Sequence, residues 1–405
     1  MRNERKMPRR FGRALLALLL CAALTVLPVP AAEAEVTAAS RPASAVPPEG
    51  LCADCRAALL MEAATGEVIF EKNADEPLPP ASVTKIMTLL LVMEAVGDGR
   101  LSMDDELTAS ANAASMGGSQ IFLEPGEKMT VRDLVKSVVI SSANDAAVVL
   151  AEAVAGSEAA FVERMNARAA ELGMTGAHFE NTNGLDDTTE NHVLSARDIA
   201  LMSRELIRHR EILTFSSTWM DSVRDGAFGL SNTNRLIRTC PGANGLKTGS
   251  TAKALFCVSA TAERDGMTLI AVVMAAPTRD ARNADAAALL DWGFANYSLF
   301  RCPAGGDLAI PVTGGRERTV AAEYGEFTAL VPRGCAARVN AELLPLPTLA
   351  APFDAGTPAG EVRFSLDGEP IGSVPIRTVP GCERLTFGGL LVRMLRIFCL
   401  LPGRV

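Results

Sequence analysis

The sequence predicts an α+β fold: an antiparallel sheet packed with helices, followed by a small all-β region. Three observations carry this. Residues Ala57 to Glu71 read as strand, Thr65-Gly66 turn and strand, a hairpin. A second pair of β-rich segments, Ala254–Ala262 and Met267–Ala276, is joined through Asp265-Gly266 far downstream, and helical patterns fill the interval. From Arg301 onward helical periodicity stops and short alternating segments take over.

The 405-residue chain opens on six basic residues, Arg2, Arg5, Lys6, Arg9, Arg10 and Arg13, ahead of an apolar run from Ala14 to Val29. Small residues around Ala32 and Ala34 follow, so residues 1–34 read as a secretory signal peptide. The apolar core is short and interrupted by Pro28, which argues against a membrane span. Residues 35–50, rich in Ala, Pro and Ser, read as a flexible linker.

After the first hairpin, Pro79 and Pro80 lead into the apolar run Val83–Val96, long enough for a buried helix. Thr130-Val131-Arg132-Asp133 reads as a capping box opening a helix to about Ile140. Further helices are expected over Asp145–Gly156, Glu158–Leu172, 196–208 and Asp280–Tyr297. A catalytic-size domain over 51–300 is therefore expected, then a β domain over 301–382 built from Asp307–Val312, Arg318–Glu323, Phe327–Val331, Glu361–Leu366 and Ile371–Ile376. The segment 384–402 returns to an apolar run carrying Arg393 and Arg396. It reads as an amphipathic helix lying in a membrane surface rather than spanning it.

Composition narrows the chemistry. Net charge is −8, from 39 basic and 47 acidic residues. Without residues 1–34, which hold six bases and two acids, the balance becomes 33 minus 45, or −12. That excludes a general nucleic-acid binder. Three His (His178, His192, His209) exclude a His-rich metal cluster and leave few members for a Ser-His-Asp triad. Cys52-x-x-Cys55 has no second CxxC to complete a zinc site and reads as structural or incidental.

Three motifs remain. Ser82-Val83-Thr84-Lys85 sets a hydroxyl and an amine three residues apart, on one face of a helix start. A serine nucleophile needs a base, and a lysine serves when desolvation or a neighbouring cation lowers its pKa. Alone the pattern is weak, with roughly one SxxK expected by chance in such a chain. Ser142-Ala143-Asn144 lies between two expected helices and can aim a hydroxyl and an amide into a cleft, although Ser and Asn also favour helix ends for local reasons. Lys247-Thr248-Gly249 opens the second β-rich region. A Lys and a Thr hydroxyl at a strand edge suit a carboxylate, and Gly admits close backbone approach. It is not a nucleotide-binding loop, because Leu246 stands where that loop needs Gly.

Together the three are specific. They follow one another at offsets 142−82=60 and 247−142=105 in a chain that reads as exported. This is the pattern of penicillin-recognising serine enzymes. The sequence resembles the D-alanyl-D-alanine carboxypeptidases, the low-molecular-weight penicillin-binding proteins. The likeness extends to Leu78–Thr88, Ser142-Ala143-Asn144-Asp145-Ala146, Asn183-Gly184-Leu185, Ser195-Ala196-Arg197-Asp198 and Gly245–Thr251, across about residues 50–400.

The resemblance implies a β-lactamase/DD-peptidase-like catalytic domain and a two-step acyl transfer on peptidoglycan stem peptides, with no metal or organic cofactor. Ser82 would attack the carbonyl between the last two D-alanines, and Lys85 would take its proton. Ser142 would relay a proton to the departing amine. Asn144 would bond the substrate backbone and Lys85. Lys247, Thr248 and Gly249 would hold the terminal carboxylate, and the backbone N–H groups of Ser82 and Ser250 would bind the oxyanion. β-Lactams would acylate Ser82 as mimics of the dipeptide. Some relatives carry an Arg where Thr233 stands here; Arg282, or less readily Arg279, could supply that basic group instead.

Two rival readings differ in class. A class A-like β-lactamase needs a deacylating Glu about 36 residues past the middle serine, where this chain has His178, with Glu180 two residues beyond. A catalytically inactive peptidoglycan-binding scaffold is disfavoured by the intact Ser82, Lys85 and Lys247.

Overall fold

The computed structural model describes residues 45–187 and 189–399, apart from the side chain of Arg396. The expected signal peptide, most of the linker and the last residues of the C-terminal helix lie outside the described residues.

Strand β1 (Ala57–Glu62) and strand β2 (Val68–Lys72) form the first hairpin, turning at Thr65-Gly66. A 3₁₀ turn over Ala81–Thr84 runs into helix α1 (Lys85–Gly97), whose residues are buried almost throughout. Helices α2 (Val131–Ile140), α3 (Asn144–Ala155), α4 (Glu158–Glu171) and α5 (Ala196–Leu206) follow. The reciprocal capping box occurs at Ser195 and Asp198 of α5; at α2, Thr130 caps alone, accepting from Asp133 N.

Strands β3 (Ala243–Thr251), β4 (Leu255–Arg264) and β5 (Met267–Ala276) complete the main sheet, and helix α6 (Arg279–Asn296) follows. The sheet order is β2-β1-β5-β4-β3, antiparallel throughout. The first hairpin therefore pairs with the β4–β5 hairpin, nearly two hundred residues later, and β3 lies at an edge.

Both faces of the sheet are covered, which explains why β1 is buried along its whole length. Ala57, Leu59, Met61, Ile270, Val272 and Met274 face the core shared with α1, α3 and α5. Ala58, Leu60, Leu269, Ala271 and Val273 face the core shared with α6. The period-2 alternation of a strand sorts the residues into these two cores, each buried Leu or Val contributing about 1.5–3 kcal/mol.

An all-β region follows. Strand β6 (Tyr297–Cys302) pairs with β9 (Phe327–Pro332). Strands β7 (Gly305–Thr313), β8 (Thr319–Tyr324), β10 (Val339–Pro345), β11 (Leu349–Ala350), β12 (Pro358–Leu366) and β13 (Glu369–Thr378) form a sheet in the order β10-β12-β13-β8-β7-β11. Around Val320, Val362, Phe364 and Ile376 they enclose a separate small core. Neither β6 nor β10 is among the strands expected from the sequence pattern. Strand character begins at Tyr297, directly after α6, because Leu299 and its neighbours pair with Leu330 on β9.

Helix α7 (Phe387–Phe398) ends the described chain. At 12 residues it is about 18 Å long, well short of a bilayer's hydrocarbon core. No helix among the described residues is long and apolar enough to cross a membrane.

Candidate active site

Pro79 and Pro80 prevent a helix from starting earlier, so the chain enters α1 through the tight turn that carries Ser82. The three-residue spacing then aims Lys85 back at the serine. Lys85 Nζ donates to Ser82 Oγ at 2.8 Å and to the carbonyl of Asn183 at 2.7 Å. The Lys85 side chain is fully buried. Burial pushes its pKa far below the ordinary lysine value, and the charge of Lys247 pushes it further; buried Asp145 pulls it partly back.

Ser142 stands between α2 and α3 in left-handed backbone, with φ +64°. A non-glycine residue in that region costs of order 1–3 kcal/mol, which the surrounding structure must impose. Its Oγ accepts from Lys247 Nζ at 2.9 Å. Lys247, on the edge strand β3, also donates to its neighbour's carbonyl, Thr248 O. Burial, then the Arg282 guanidinium, lower its pKa to about 7. Burial thus favours the neutral form of both amines, Lys85 beside Ser82 and Lys247 beside Ser142.

Thr248 Oγ1 donates to Thr233 Oγ1 at 2.7 Å, so Thr233 does occupy the place beside the Lys-Thr-Gly strand. The buried Arg282 guanidinium donates to Asn283 Oδ1 and Cys257 O. Gly249 presses the edge strand against the start of the 3₁₀ turn: a Cβ there would lie 2.8 Å from both Pro80 O and Ser82 N.

These residues line one cleft of about 730 Å³. It holds Ser82, Ser119, Ser142, Trp219, Thr233, Thr248, Gly249, Ser250 and Arg282. Three further arginines, Arg235, Arg238 and Arg279, stand at its mouth, all exposed. The three motifs thus meet at one place, with Ser250 on the cleft wall.

Asn144 behaves differently from its expected role. Its Nδ2 donates to Gly117 O at 2.6 Å rather than engaging Lys85, and its Oδ1 is buried with no partner. As the first residue of α3 it also donates its backbone N–H to Ser119 O. It therefore ties down the 117–119 segment, while Asn183 O takes the second bond of Lys85.

Sequence reasoning marks Asn183-Gly184-Leu185 and Asp145 but gives them no role. Asn181 Oδ1 accepts from the backbone of Asn183 and Gly184, holding the carbonyl that meets Lys85. The Asp145 carboxylate, fully buried, accepts from the backbone N–H groups of Ile121, Leu123 and Ala146.

The histidines do not serve the serine. His192 Nδ1 accepts from Glu180 N, so Nε2 carries the proton and donates to Thr84 Oγ1 at 2.8 Å. Burial lowers its pKa to about 4 and keeps it neutral. Glu180, the candidate deacylating carboxylate, is bonded to the backbone N–H groups of Glu190 and Asn191.

Among the described residues, Cys52, Cys55 and Asp285 bring potential metal-ligand atoms together. They pack on the α6 face of the sheet, opposite the core that carries Ser82. Both thiols donate to carbonyl oxygens, Cys52 to Asp285 O and Cys55 to Cys52 O. The bond to Cys55 and then burial raise the Cys52 pKa far above the ordinary thiol value. Three donors are one fewer than a closed zinc site requires.

Comparison with known proteins decides the family. The family model described as D-alanyl-D-alanine carboxypeptidase matches residues 43–278. The chain belongs to the D-alanyl-D-alanine carboxypeptidase family. The carboxypeptidase is 39% identical over 350 residues to D-alanyl-D-alanine carboxypeptidase DacF of Bacillus subtilis, covering 85% of this chain and 90% of the relative. It is 35% identical over 357 residues to D-alanyl-D-alanine carboxypeptidase DacC of Escherichia coli, covering 83% and 86%. Penicillin binding protein 5 from Haemophilus influenzae has a similar structure: the TM-score is 0.74 at 30% identity, over 84% of this chain and all of that one. The relatives support the carboxypeptidase over the β-lactamase reading, and the α+β fold with a C-terminal all-β region agrees with the expectation.

Proposed function

We propose that this serine-type carboxypeptidase removes the terminal D-alanine from peptidoglycan stem pentapeptides through an acyl-enzyme on Ser82. The observation that carries this is the 2.8 Å bond between Ser82 Oγ and the fully buried Lys85 Nζ. A neutral amine at that distance takes the serine proton as Oγ attacks the carbonyl between the two D-alanines. The Ser82–carbonyl bond forms, and the C–N bond breaks with its electron pair on nitrogen. Ser142, bonded to Lys247, relays the proton to the departing amine. Charged Lys247, Thr248 and Arg282 hold the terminal carboxylate, Gly249 lets the edge strand approach, and Asn144 orders the adjoining loop. The N–H groups of Ser82 and Ser250 steady the oxyanion. Water then hydrolyses the ester.

β-Lactams acylate the same serine. A structurally similar relative, penicillin-binding protein D2 from Listeria monocytogenes, has been solved in an ampicillin-bound form, which supports this reading. Mass spectrometry of the penicillin adduct tests the assignment together with D-alanine release from a diacyl-Lys-D-Ala-D-Ala peptide. The adduct is expected on Ser82 and absent from Ser82→Ala. Rapid penicillin turnover without D-alanine release would instead favour a β-lactamase.

The enzyme works outside the cytoplasmic membrane, held peripherally by α7. Phe387, Leu391, Val392, Met394, Leu395, Ile397 and Phe398 of that helix are all exposed, an apolar surface that suits the headgroup boundary of a bilayer.

A further inference from the structure

The proposed reaction leaves one cluster of metal-ligating side chains unused. Cys52, Cys55 and Asp285 each offer one ligand atom, and the three atoms lie within 4.8 Å of one another. The two cysteines belong to the segment that enters β1, and Asp285 stands in the second turn of α6. Folding therefore makes the cluster, since 230 residues (285−55) separate Cys55 from Asp285. The C-x2-C spacing is that of paired zinc thiolates, yet the chain has no second such pair. The Asp285 carboxylate stands where a second pair would.

The surroundings suit a cation. Asp285 Oδ2 is buried and has no hydrogen-bond partner, a costly state for a carboxylate oxygen that a bound cation relieves. Both cysteines are buried, and their thiols make only long contacts, Cys52 Sγ to Asp285 O at 3.9 Å and Cys55 Sγ to Cys52 O at 3.5 Å. Such weak donors give up little on losing their protons to a metal. Behind the loop, Lys72 Nζ at the end of β2 donates to the carbonyls of Cys52, Ala53 and Cys55 at 2.7, 2.9 and 2.7 Å. That clamp fixes the turn that brings the two sulfurs together, as partners behind a ligand do in metal sites. It also supplies charge balance. A divalent ion with two thiolates and one carboxylate carries one net negative charge, which the Lys72 ammonium offsets. The exposed Asp54 adds a negative charge close enough to act on Asp285, which further favours a cation.

We infer that Cys52, Cys55 and Asp285 bind one thiolate-preferring divalent metal ion, zinc(II) first among them, with water as the fourth ligand, and that the ion pins the segment entering β1 to α6. Zinc–thiolate bonds of about 2.3 Å in a tetrahedron put two sulfurs about 3.8 Å apart, so the ligand atoms close by no more than about 1 Å. Each thiol releases its proton to solvent as its metal–sulfur bond forms, the carboxylate donates a lone pair, and nothing is oxidised or reduced. Asp285 is only part-buried, which lets water reach the fourth position. A disulfide is the other chemistry open to the two sulfurs, but it would leave Asp285 Oδ2 as unpartnered as before. The site packs on the α6 face of the sheet, opposite the core that carries Ser82, so the ion holds structure and takes no part in acyl transfer.

The test loads the reduced, full-chain protein with zinc(II) or cobalt(II). One metal ion per chain is expected to survive gel filtration, and the cobalt form should show a thiolate-to-metal charge-transfer band with the intense visible bands of four-coordinate cobalt. In competition with a chelating dye, Cys52→Ser and Cys55→Ser should each lose about a hundredfold or more in zinc affinity, and Asp285→Asn about tenfold or more. Zinc should raise the melting temperature of the wild type and leave that of the cysteine variants unmoved. Penicillin labelling should stay within about twofold throughout, which also reports that each variant is folded. A wild-type cobalt spectrum without the charge-transfer band overturns the inference, and that result does not depend on any variant folding. Unaltered zinc affinity in a folded Asp285→Asn overturns it too. So does wild-type protein isolated without reductant that is lighter by two hydrogens and retains no metal, because a disulfide then stands in place of the ion.

Discussion

Gly184 sits against the carbonyl of Ala81 so closely that a Cβ on it would lie 1.9 Å from that oxygen. The contact joins the loop that supplies Asn183 O to the turn that carries Ser82. Gly184 also has φ +82°, a conformation that costs a residue with a side chain. Gly184→Ala must therefore push the loop off the turn and break the Lys85–Asn183 bond. We expect a stability loss of about 1–3 kcal/mol and slower acylation, read by thermal melting and by fluorescent-penicillin labelling. Wild-type acylation in the variant would show that the contact does not position Lys85.

Gly249 makes the second such approach, and its substitution separates fold from chemistry. A Cβ at 2.8 Å from Ser82 N and Pro80 O forces the edge strand away from the nucleophile's own backbone. Because β3 pairs only with β4, it can shift with little damage to the rest of the sheet. Gly249→Ala should lose at least about tenfold in acylation rate with a smaller change in melting temperature. Stopped-flow penicillin acylation and calorimetry on the same preparation decide it.

On the proposed mechanism, in which Lys85 works neutral and Lys247 charged, the pH profile of kcat/KM should be bell-shaped. Activity rises as pH climbs through the depressed pKa of Lys85, then falls as Lys247 loses its proton near 7. A bound substrate carboxylate favours charged Lys247, so the alkaline limb of kcat should lie at higher pH than that of kcat/KM. Arg282→Gln removes a cation that depresses Lys247 and should move the alkaline limb of kcat/KM upward. A limb that stays fixed in that variant rules out Lys247 as its source.

Asp145 combines a structural and an electrostatic role with opposite signatures. Asp145→Asn loses charge-assisted acceptance from Ile121 and Leu123 and should destabilise the enzyme by about 1–3 kcal/mol. It also removes the one charge that raises the Lys85 pKa, so the acid limb of kcat/KM should move to lower pH. Denaturant titration and a pH–rate series measure the two effects independently.

Truncation after Cys382 should move the protein from the membrane to the soluble fraction while leaving penicillin labelling of Ser82 intact. The cut keeps Cys382, whose backbone exchanges hydrogen bonds with Phe353, and removes the exposed apolar helix together with residues 383–386, which bond the 314–316 turn. An unchanged distribution on fractionation would reject the anchor.

Most of the fold was legible because its signals are local. The Asp265-Gly266 turn, the alternation of β4 and β5 and the long apolar run of α1 all depend on near neighbours in the chain. Strand β6 was missed because it follows α6 without a break, and only pairing with β9 reveals it. The expected bond of Asn144 to Lys85 does not form, for a related reason. A tripeptide between helices shows which groups can enter a cleft, but not that Gly117 O would take the amide first.

By itself the sequence determined which groups meet at the nucleophile. Ser82 and Lys85 lie three apart at a helix start, and that spacing sets their distance wherever the helix is placed. It also held the order of motifs that marks the family. Only the tertiary structure decided their state: pKa values depend on burial and on charges brought from distant segments. The Lys85 pKa is lowered because α1 is buried and Lys247, 162 residues away (247−85), stands nearby, which suits the proposed base.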